Sequence, residues 1–371
     1  MNKISIYGSF EDLPLCYKQI FVEASAASGF FLSTPWFHNL IATSFDKNTL
    51  LRIYGVEDVS GYNEPCLVLA MCYQCSSGGW FTPRRLVPVA NYYTSLFSPI
   101  FGKSTPYTKE NLNFLAKTIV GDRPHWDLID IHPMDIANPS FDNTRRAFRL
   151  AGMAVQTYFC FGNWYLEVNG RSYQEYFKSL PAKLRNTLNR KTKKLKDSNR
   201  IRLEIFSNFS KLENNIATFE KIYNSSWKVS EPYPEFIPGL IRTCAEQGWL
   251  RMGIAYIDNQ PAAAQIWMVS HNVASIYKLA YDEKFSKLSV GTILTARLMQ
   301  HVIDIDQVCE VDYLTGDDDY KRDWMSHRRE RWGIIAFNLR TFNGVLAAIK
   351  HMGGRALKNI VSSIVRKTFH R

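Results

Sequence analysis

The densest run of reactive side chains is Glu310-Val311-Asp312-Tyr313-Leu314, followed by Gly316-Asp317-Asp318-Asp319-Tyr320-Lys321-Arg322-Asp323-Trp324. Read as a strand, the first five residues put Glu310 and Asp312 on one face, because successive side chains alternate. A central strand of an α/β sheet is normally apolar on both faces. Two carboxylates there predict a lined cleft or compensating cations. The aspartates that follow lie at the C-terminal end of that strand, where open α/β sheets bind ligands. They would serve equally well as the capped, solvated start of a helix over 317–325.

A second constellation opens the apolar helix predicted over 289–303. Ser289 is a good N-cap, Gly291 admits close approach to the backbone, and Lys284 and Lys287 lie just before it. Free amides and partial positive charge at a helix start hold phosphates. The stretch is a phosphate cradle, or only a capped helix. A third is Ser226-Trp227-Lys228-Val229-Ser230-Glu231-Pro232-Tyr233-Pro234. Its rings and prolines could wall a sugar or acyl group, or cap the core. No GxSxG, P-loop, GxGxxG or HExxH motif is present. The seven cysteines are odd in number and scattered, as in a reducing compartment. Cys72-Tyr73-Gln74-Cys75 is a lone pair read as structural.

The elements that must position these groups follow from periodicity. The first part is mixed α/β, with helices over 13–25, 110–119 and 142–151. Another helix opens at Thr34-Pro35-Trp36. Strands run over 50–56, 66–74 and 126–132, the last stopped by Pro133. A boundary is expected near 158–162. A strand over 163–168 and helices over 172–180 and 182–197 come next, then a strand over 201–206 and helices over 212–227 and 234–247. Apolar runs over 250–257, 261–269 and 274–281, joined by short polar turns, predict an antiparallel meander. The helix over 289–303, a strand over 309–314, a helix over 317–325 and a strand over 334–339 complete the pattern.

The 371 residues suffice for about two domains. With 46% hydrophobic and 21% charged residues, the chain can build a large core. The net charge of +11 is localised: residues 171–200 and 331–371 each carry +8, leaving −5 elsewhere. That pattern points to local anionic partners rather than to a coat of nucleic acid. No apolar run approaches the roughly 20 residues of a spanning helix, and the polar start lacks a signal-peptide core. A cytoplasmic protein is expected. Val345, Leu346, Ile349, Leu357, Ile360 and Ile364 alternate with cations, so residues 344–371 form a basic amphipathic tail. Such a tail lies on an anionic inner-membrane surface or packs on its own domain.

Residues 163–340 resemble the acetyltransferase domain of the CelD-like branch of the GNAT superfamily, related to the FemAB peptidyltransferases. The likeness rests on Leu184-Arg185-Asn186, Ser226-Trp227-Lys228, Tyr277-Lys278-Leu279-Ala280-Tyr281-Asp282, Ser289-Val290-Gly291-Thr292, Asp312-Tyr313-Leu314-Thr315-Gly316-Asp317 and Tyr320-Lys321-Arg322-Asp323-Trp324. It implies a mixed α/β, GNAT-like fold with two tandem halves around a shared cleft. Residues 1–160 would be a degenerate N-terminal half, 161–343 the acyltransferase and 344–371 the tail. It further implies acetyl-CoA or another acyl-CoA as co-substrate, no metal, and an amine acceptor on an amino sugar, glycan or protein. The setting it implies is bacterial exopolysaccharide or cell-envelope synthesis.

In this resemblance the pantetheine arm lies along Lys278, Leu279, Ala280 and Tyr281. The diphosphate lies at Lys287, Ser289, Val290, Gly291 and Thr292. Asp312 is the base, Tyr320 the acid to the thiolate, and Lys321 the anion holder. Trp227, Lys228, Glu231 and Asp317 face the substrate. The sequence departs from the GNAT diphosphate motif: Ser286 stands where Arg or Gln is usual, and Ser289 at the first glycine-like position. FemAB-like relatives take an aminoacyl group from charged tRNA, which the basic helix would suit, and a non-catalytic scaffold is a third alternative.

Overall fold

The computed structural model describes residues 2–58, 64–74, 79, 81–102 and 109–351. Along the chain they form β1 (Asn2–Tyr7), α1 (Leu15–Ser28), α2 (Thr34–Ser44), β2 (Thr49–Asp58), β3 (Glu64–Gln74), β4 (Arg85–Pro88), β5 (Ile100–Phe101), α3 (Lys109–Gly121), β6 (Leu128–Asp135) and α4 (Pro139–Leu150). These are followed by β7 (Ala154–Glu167), α5 (Tyr173–Ser179), α6 (Ala182–Asp197), β8 (Ile201–Phe206), α7 (Leu212–Asn224), α8 (Phe236–Glu246), β9 (Leu250–Ile257), β10 (Gln260–Ser270) and β11 (Val273–Tyr281). The last elements are α9 (Val290–Asp304), β12 (Glu310–Asp312), α10 (Asp319–Arg322) and β13 (His327–Phe337).

The chain divides into two compact units, neither contiguous in sequence. Unit 1 takes residues up to Ala24, Asp46–Cys160 and the chain from Arg331 on; unit 2 takes Ser25–Phe45 and Phe161–Glu330. Strand β7 is continuous from Ala154 to Glu167, across the expected boundary. Helix α2, with Pro35 in its first turn and Ser33 accepting from the Trp36 amide, belongs to unit 2. Trp36 is fully buried there, edge-on to Phe236 at 5.7 Å, and the Asn39 amide donates to the Phe236 carbonyl at 3.3 Å.

In unit 1, β1, β2, β3 and β4 are antiparallel neighbours, and β4 then runs parallel to β6. In unit 2, β9 to β11 form the predicted meander, β8 pairs antiparallel with β9, and β11 then runs parallel to β12. Each unit is thus a meander followed by one parallel crossover, through α3 in unit 1 and α9 in unit 2. Helix α9 buries Val290, Ile293, Leu294, Leu298, Val302 and Ile303 against β9, β10 and β11. Leu188 and Leu195 of α6 join the same core while its lysines stay outside.

Three expectations are corrected locally. Strand β6 continues past Pro133, because a bulge opposite Gly333 absorbs the residue that lacks an amide hydrogen. Strand β13 begins at His327 rather than at 334. The expected helix over 317–325 shrinks to α10. In the tail, residues 342–351 are helical, and Ala348 packs on Leu128, Ile335 and Phe337 of unit 1. Residues 352–371, most of the expected membrane-surface helix, lie outside the described residues, as does Cys75 of the cysteine pair. Among the described residues, no helix is long and apolar enough to cross a membrane.

Gly333 tests the packing of unit 1. A Cβ there would lie 2.2 Å from the Tyr158 ring carbon Cζ, and the Tyr158 hydroxyl is fixed by donating to Asp130 at 2.7 Å. The ring cannot withdraw without losing that bond. Gly333→Ala is expected to cost about 1–3 kcal/mol by overpacking, read as a lower midpoint in urea unfolding. An unchanged midpoint would show that the ring moves freely.

Candidate active site

Strand β11 sets the geometry. It stays paired with β10 as far as Tyr281, but its parallel ladder with β12 ends at Ser275–Asp312. The two strands diverge there, and β11 bulges at the same place. Ile266 faces Lys278 and Trp267 faces Ile276, so Tyr277 is the inserted residue. Bulges bend a strand and re-aim its side chains. Here Tyr277 turns toward Trp36 and Phe236, while Lys278 reaches the loop after α7. The chain leaving β11 leads into α9, whose first turn contains Gly291.

Side chains from four segments meet at this point. Lys278 Nζ lies 2.6 Å from Glu231 Oε1, with both groups about one-tenth exposed. The Tyr223 hydroxyl donates to the same oxygen at 2.5 Å. The Trp227 ring lies 4.5 Å from the Tyr281 ring, and a Cβ on Gly291 would touch that ring at 3.3 Å. Burial, then the cations of Lys278 and Lys321, push the Lys228 amine down to about 8, with Glu231 and Asp318 opposing. Tyr320 stands edge-on to Tyr313 at 5.7 Å, and burial, aided by Asp318, pushes its hydroxyl up to about 12.

Of the residues expected to hold a donor, Val290 and Ala280 have buried side chains, so only their backbone could touch a ligand. Leu279 packs partly on the core. Lys287 is exposed, and its carbonyl accepts from Lys191 of α6 at 2.7 Å. Gly291 and Thr292 lie in the first turn of α9 behind Ser289. Trp227, Lys228, Glu231, Lys278, Tyr281, Tyr320 and Lys321 are therefore drawn together.

Asp312 and Asp317 are not available as expected. Asp312 Oδ1 accepts from Asn163 Nδ2 at 2.5 Å and from the Leu314 amide at 2.6 Å. Its Oδ2 accepts from Arg329 Nη2 at 2.6 Å. Arg329 also donates to Glu310 at 2.7 Å and to Asn163 Oδ1 at 2.6 Å, with its guanidinium 4.3 Å from the centre of the Tyr165 ring. Burial opposes the charge on Arg329, but the two carboxylates outweigh it and raise its proton affinity. With both oxygens taken, Asp312 anchors strands rather than standing ready for a substrate proton. Asp317 is clamped by Arg328 at 2.7 Å and by the Trp164 indole at 2.8 Å; the Arg328 bond holds its carboxyl below the usual range. Lys321 donates to the Thr315 carbonyl at 2.5 Å and lies 3.4 Å from Asp318, so it fixes the turn after β12.

Sequence reasoning missed Tyr223, Asp318 and Asn163; the compensating cation expected beside Glu310 and Asp312 is Arg329. A signal existed for Arg329, since basic residues at 328–331 are the cations that two carboxylates on one face of β12 require. None existed for Tyr223, one aromatic among several on the buried side of α7. Among the described residues, no three His, Cys, Asp or Glu side chains are grouped to hold a metal.

A meander whose last strand diverges from its parallel neighbour over a helix start is the architecture of a GNAT-type fold. Residues 182–322 match the family model described as acetyltransferase (GNAT) domain. The fold is similar to that of FemX in its crystal structure, with a TM-score of 0.62 and 12% identity over 93% of this chain and 99% of that one. It is also similar to a tandem GNAT protein from the clavulanic acid biosynthesis pathway, solved without AcCoA (TM-score 0.53, 9% identity, 90% and 98% covered). A third likeness is to the C-terminal domain (DUF2156) of a putative lysylphosphatidylglycerol synthetase from Agrobacterium fabrum (TM-score 0.51, 10% identity, 90% and 95% covered). No curated protein matches in sequence. Residues 182–322 are thus a GNAT-type acetyltransferase domain by their family match, and the fold of the chain is that of FemX and of tandem GNAT proteins.

The Arg329 clamp predicts the phenotype of Asp312→Asn. The variant loses a partly buried ion pair and turns its NH2 either toward Arg329 or toward the Leu314 amide and Asn163 Nδ2 together. It is expected to lose about 1–3 kcal/mol of stability with kcat within a few-fold of wild type. A fall in kcat of roughly 10²–10⁴ at unchanged thermal midpoint would restore Asp312 as the base.

Proposed function

We propose that the protein is an acyl-CoA-dependent N-acyltransferase that moves an acetyl group from a thioester to an amine. The observation that carries this reading is the end of the β11–β12 ladder at Ser275–Asp312. An extended pantetheine chain offers amides that can follow β11 where β12 leaves it. The diphosphate then falls at the amides of Ser289–Thr292, beside Lys287, where negative charge is favoured. Gly291 lets it approach the backbone under Tyr281.

For an attacking amine, Lys228 has the proton affinity suited to a base near neutral pH. In this reading its neutral amine takes the proton of the attacking ammonium. The new C–N bond forms, the C–S bond breaks, Tyr320 protonates the thiolate, and the second proton that the nitrogen loses on becoming an amide returns to Tyr320. Trp227 and Tyr281 wall the acyl group, and Glu231 holds Lys278 and Tyr223 in place. Asp312, Asp317 and Lys321 position the strand and turn. The exopolysaccharide or cell-envelope setting rests on the resemblance to CelD-like proteins in the sequence blocks given above. A second reading, transfer from aminoacyl-tRNA to an amine, is favoured by the basic face of α6 and by the likeness of fold to FemX.

Thermal unfolding with acetyl-CoA, longer acyl-CoAs and free CoA tests the donor, because a ligand at about 100 times its Kd adds roughly 2.7 kcal/mol. Gly291→Asp is expected to abolish that rise, since its carboxylate repels the diphosphate while Asp is tolerated in a first helical turn. Unchanged CoA affinity in the variant defeats the reading. If CoA leaves wild type unmoved and charged tRNA binds with a steep salt slope, the second reading replaces it.

The pH profile tests the base. The working form of Lys228 is deprotonated, so kcat/KM is expected to rise with pH through about 8 and then level off. Glu231 favours the protonated form, so Glu231→Gln should move the limb to lower pH. Lys228→Met should remove the limb and lower kcat by roughly 10²–10⁴. A limb that stays in Lys228→Met assigns the proton to another group.

A further inference from the structure

Unit 2 carries a groove of about 480 Å³ between α5, α6 and α9, starting at Ile293, just past the Ser289–Thr292 turn on α9. That volume lies within the 300–1,000 Å³ usual for small-molecule sites. Its floor is apolar: Leu188 and Ile293 are almost fully buried there, and Phe177 packs beside Tyr173 with ring centres 5.9 Å apart. Its rim is cationic. Lys193 and Lys196 come from successive positions on α6, and Arg297 from the facing helix. No ion pair engages any of the three among the described residues; Arg297 donates only to Gln300, at 3.2 Å. One carboxylate, Asp197, offsets them.

Cations that merely solubilise a helix point outward and alternate with acids. Here cations from two helices converge over an apolar, aromatic-edged floor, and α6 has one acid in sixteen residues. A ligand that satisfies both halves has a flat apolar ring system and clustered negative charge. The geometry points to a nucleotide site: the base lies over Phe177 and Leu188, and the phosphates lie among Lys193, Lys196 and Arg297. A nucleotide separate from the acyl donor, such as one that carries a sugar, offers this chemistry. The site itself does not depend on the donor reading.

Calorimetry on the full-length chain at low salt, with ADP, UDP and inorganic phosphate as probes, tests it. ADP is expected to bind at least roughly tenfold more tightly than phosphate, because the floor adds apolar contact. Lys193→Glu combined with Arg297→Glu is expected to weaken ADP at least roughly tenfold by removing the charge complement. Ala296→Trp fills the floor with the charges intact and should weaken ADP but not phosphate. Both substituted residues of the charge variant are exposed, so that variant tests the site even if Ala296→Trp fails to fold. Acetyl-CoA added at saturation is expected to leave ADP bound; displacement of ADP would make the groove the donor's own and overturn the proposal. ADP binding no tighter than phosphate, or unchanged in the charge variant, overturns the proposal.

Discussion

The site hangs on Arg329. Strand β12 has three residues, and two of them, Glu310 and Asp312, carry negative charge on one face between β11 and β7. Left alone, two carboxylates that close repel each other and resist burial. Arg329 spans both, donates to Asn163 of β7 as well, and lies over Tyr165 of the same strand. One guanidinium thus binds β13, β12 and β7 into a fixed order. Its planar set of donors suits this task as a lysine would not. Because β12 is held on that side, it departs from β11 at Ser275, and that departure opens the donor edge.

Lys321 does the same work one turn later. Its ammonium takes up the Thr315 carbonyl and pairs with Asp318, and burial lowers its proton affinity. The turn that follows β12 is therefore set by a buried cation, and Tyr320, just before it in sequence, stands edge-on to Tyr313. Lys321, which the sequence offered as catalytic, is tied into the turn after β12, and Lys228, offered as a substrate contact, is the amine that burial pushes down to about 8. Pattern separates charged from apolar positions. It does not say which charge is satisfied by its own fold, since that depends on partners more than a hundred residues away, as Asn163 is from Asp312.

The same reason divides what the sequence disclosed of the fold. The meander β9–β11 and helices α6 and α9 were legible because each is long, periodic and buried on one face. The first half of β13 was not, because His327-Arg328-Arg329-Glu330-Arg331 reads as a solvated loop. Those charges are strand positions whose partners are Asp317, Glu310, Asp312 and Asp135. Strand β6 hid its last residues behind Pro133 for a related reason, since the bulge that absorbs the proline is made by a strand from the other end of the chain. The repeat is visible only in register. Arg85 faces Leu128 and Leu86 faces Ile129 in unit 1, as Val273 faces Glu310 and Ala274 faces Val311 in unit 2. Asp130 then occupies the place of Asp312, but it is engaged by the Tyr158 hydroxyl and His132 instead of an arginine.

The departure from the GNAT diphosphate motif has a geometric resolution. Ser289 stands at the first glycine-like position and holds φ 56 and ψ 36, the left-handed conformation that glycine adopts without cost. For a serine this costs about 1–3 kcal/mol and persists only where surroundings enforce it. Here the enforcing contacts are visible: the Ser289 amide donates to the Ser286 carbonyl at 3.1 Å, and its own carbonyl accepts from Ile293 at 3.1 Å. Lys191 pins the neighbouring Lys287 carbonyl from α6. The left-handed turn is thus made by a serine where the motif has a glycine-like residue. Lys191 and Lys287 lie beside it, and Lys284 pairs with Asp282 at 3.1 Å. A glycine at 289 would reach this turn from many conformations. Serine has fewer such conformations, and Lys191, by donating to the Lys287 carbonyl at 2.7 Å, ties the start of this turn to α6, the helix that also borders the cationic groove.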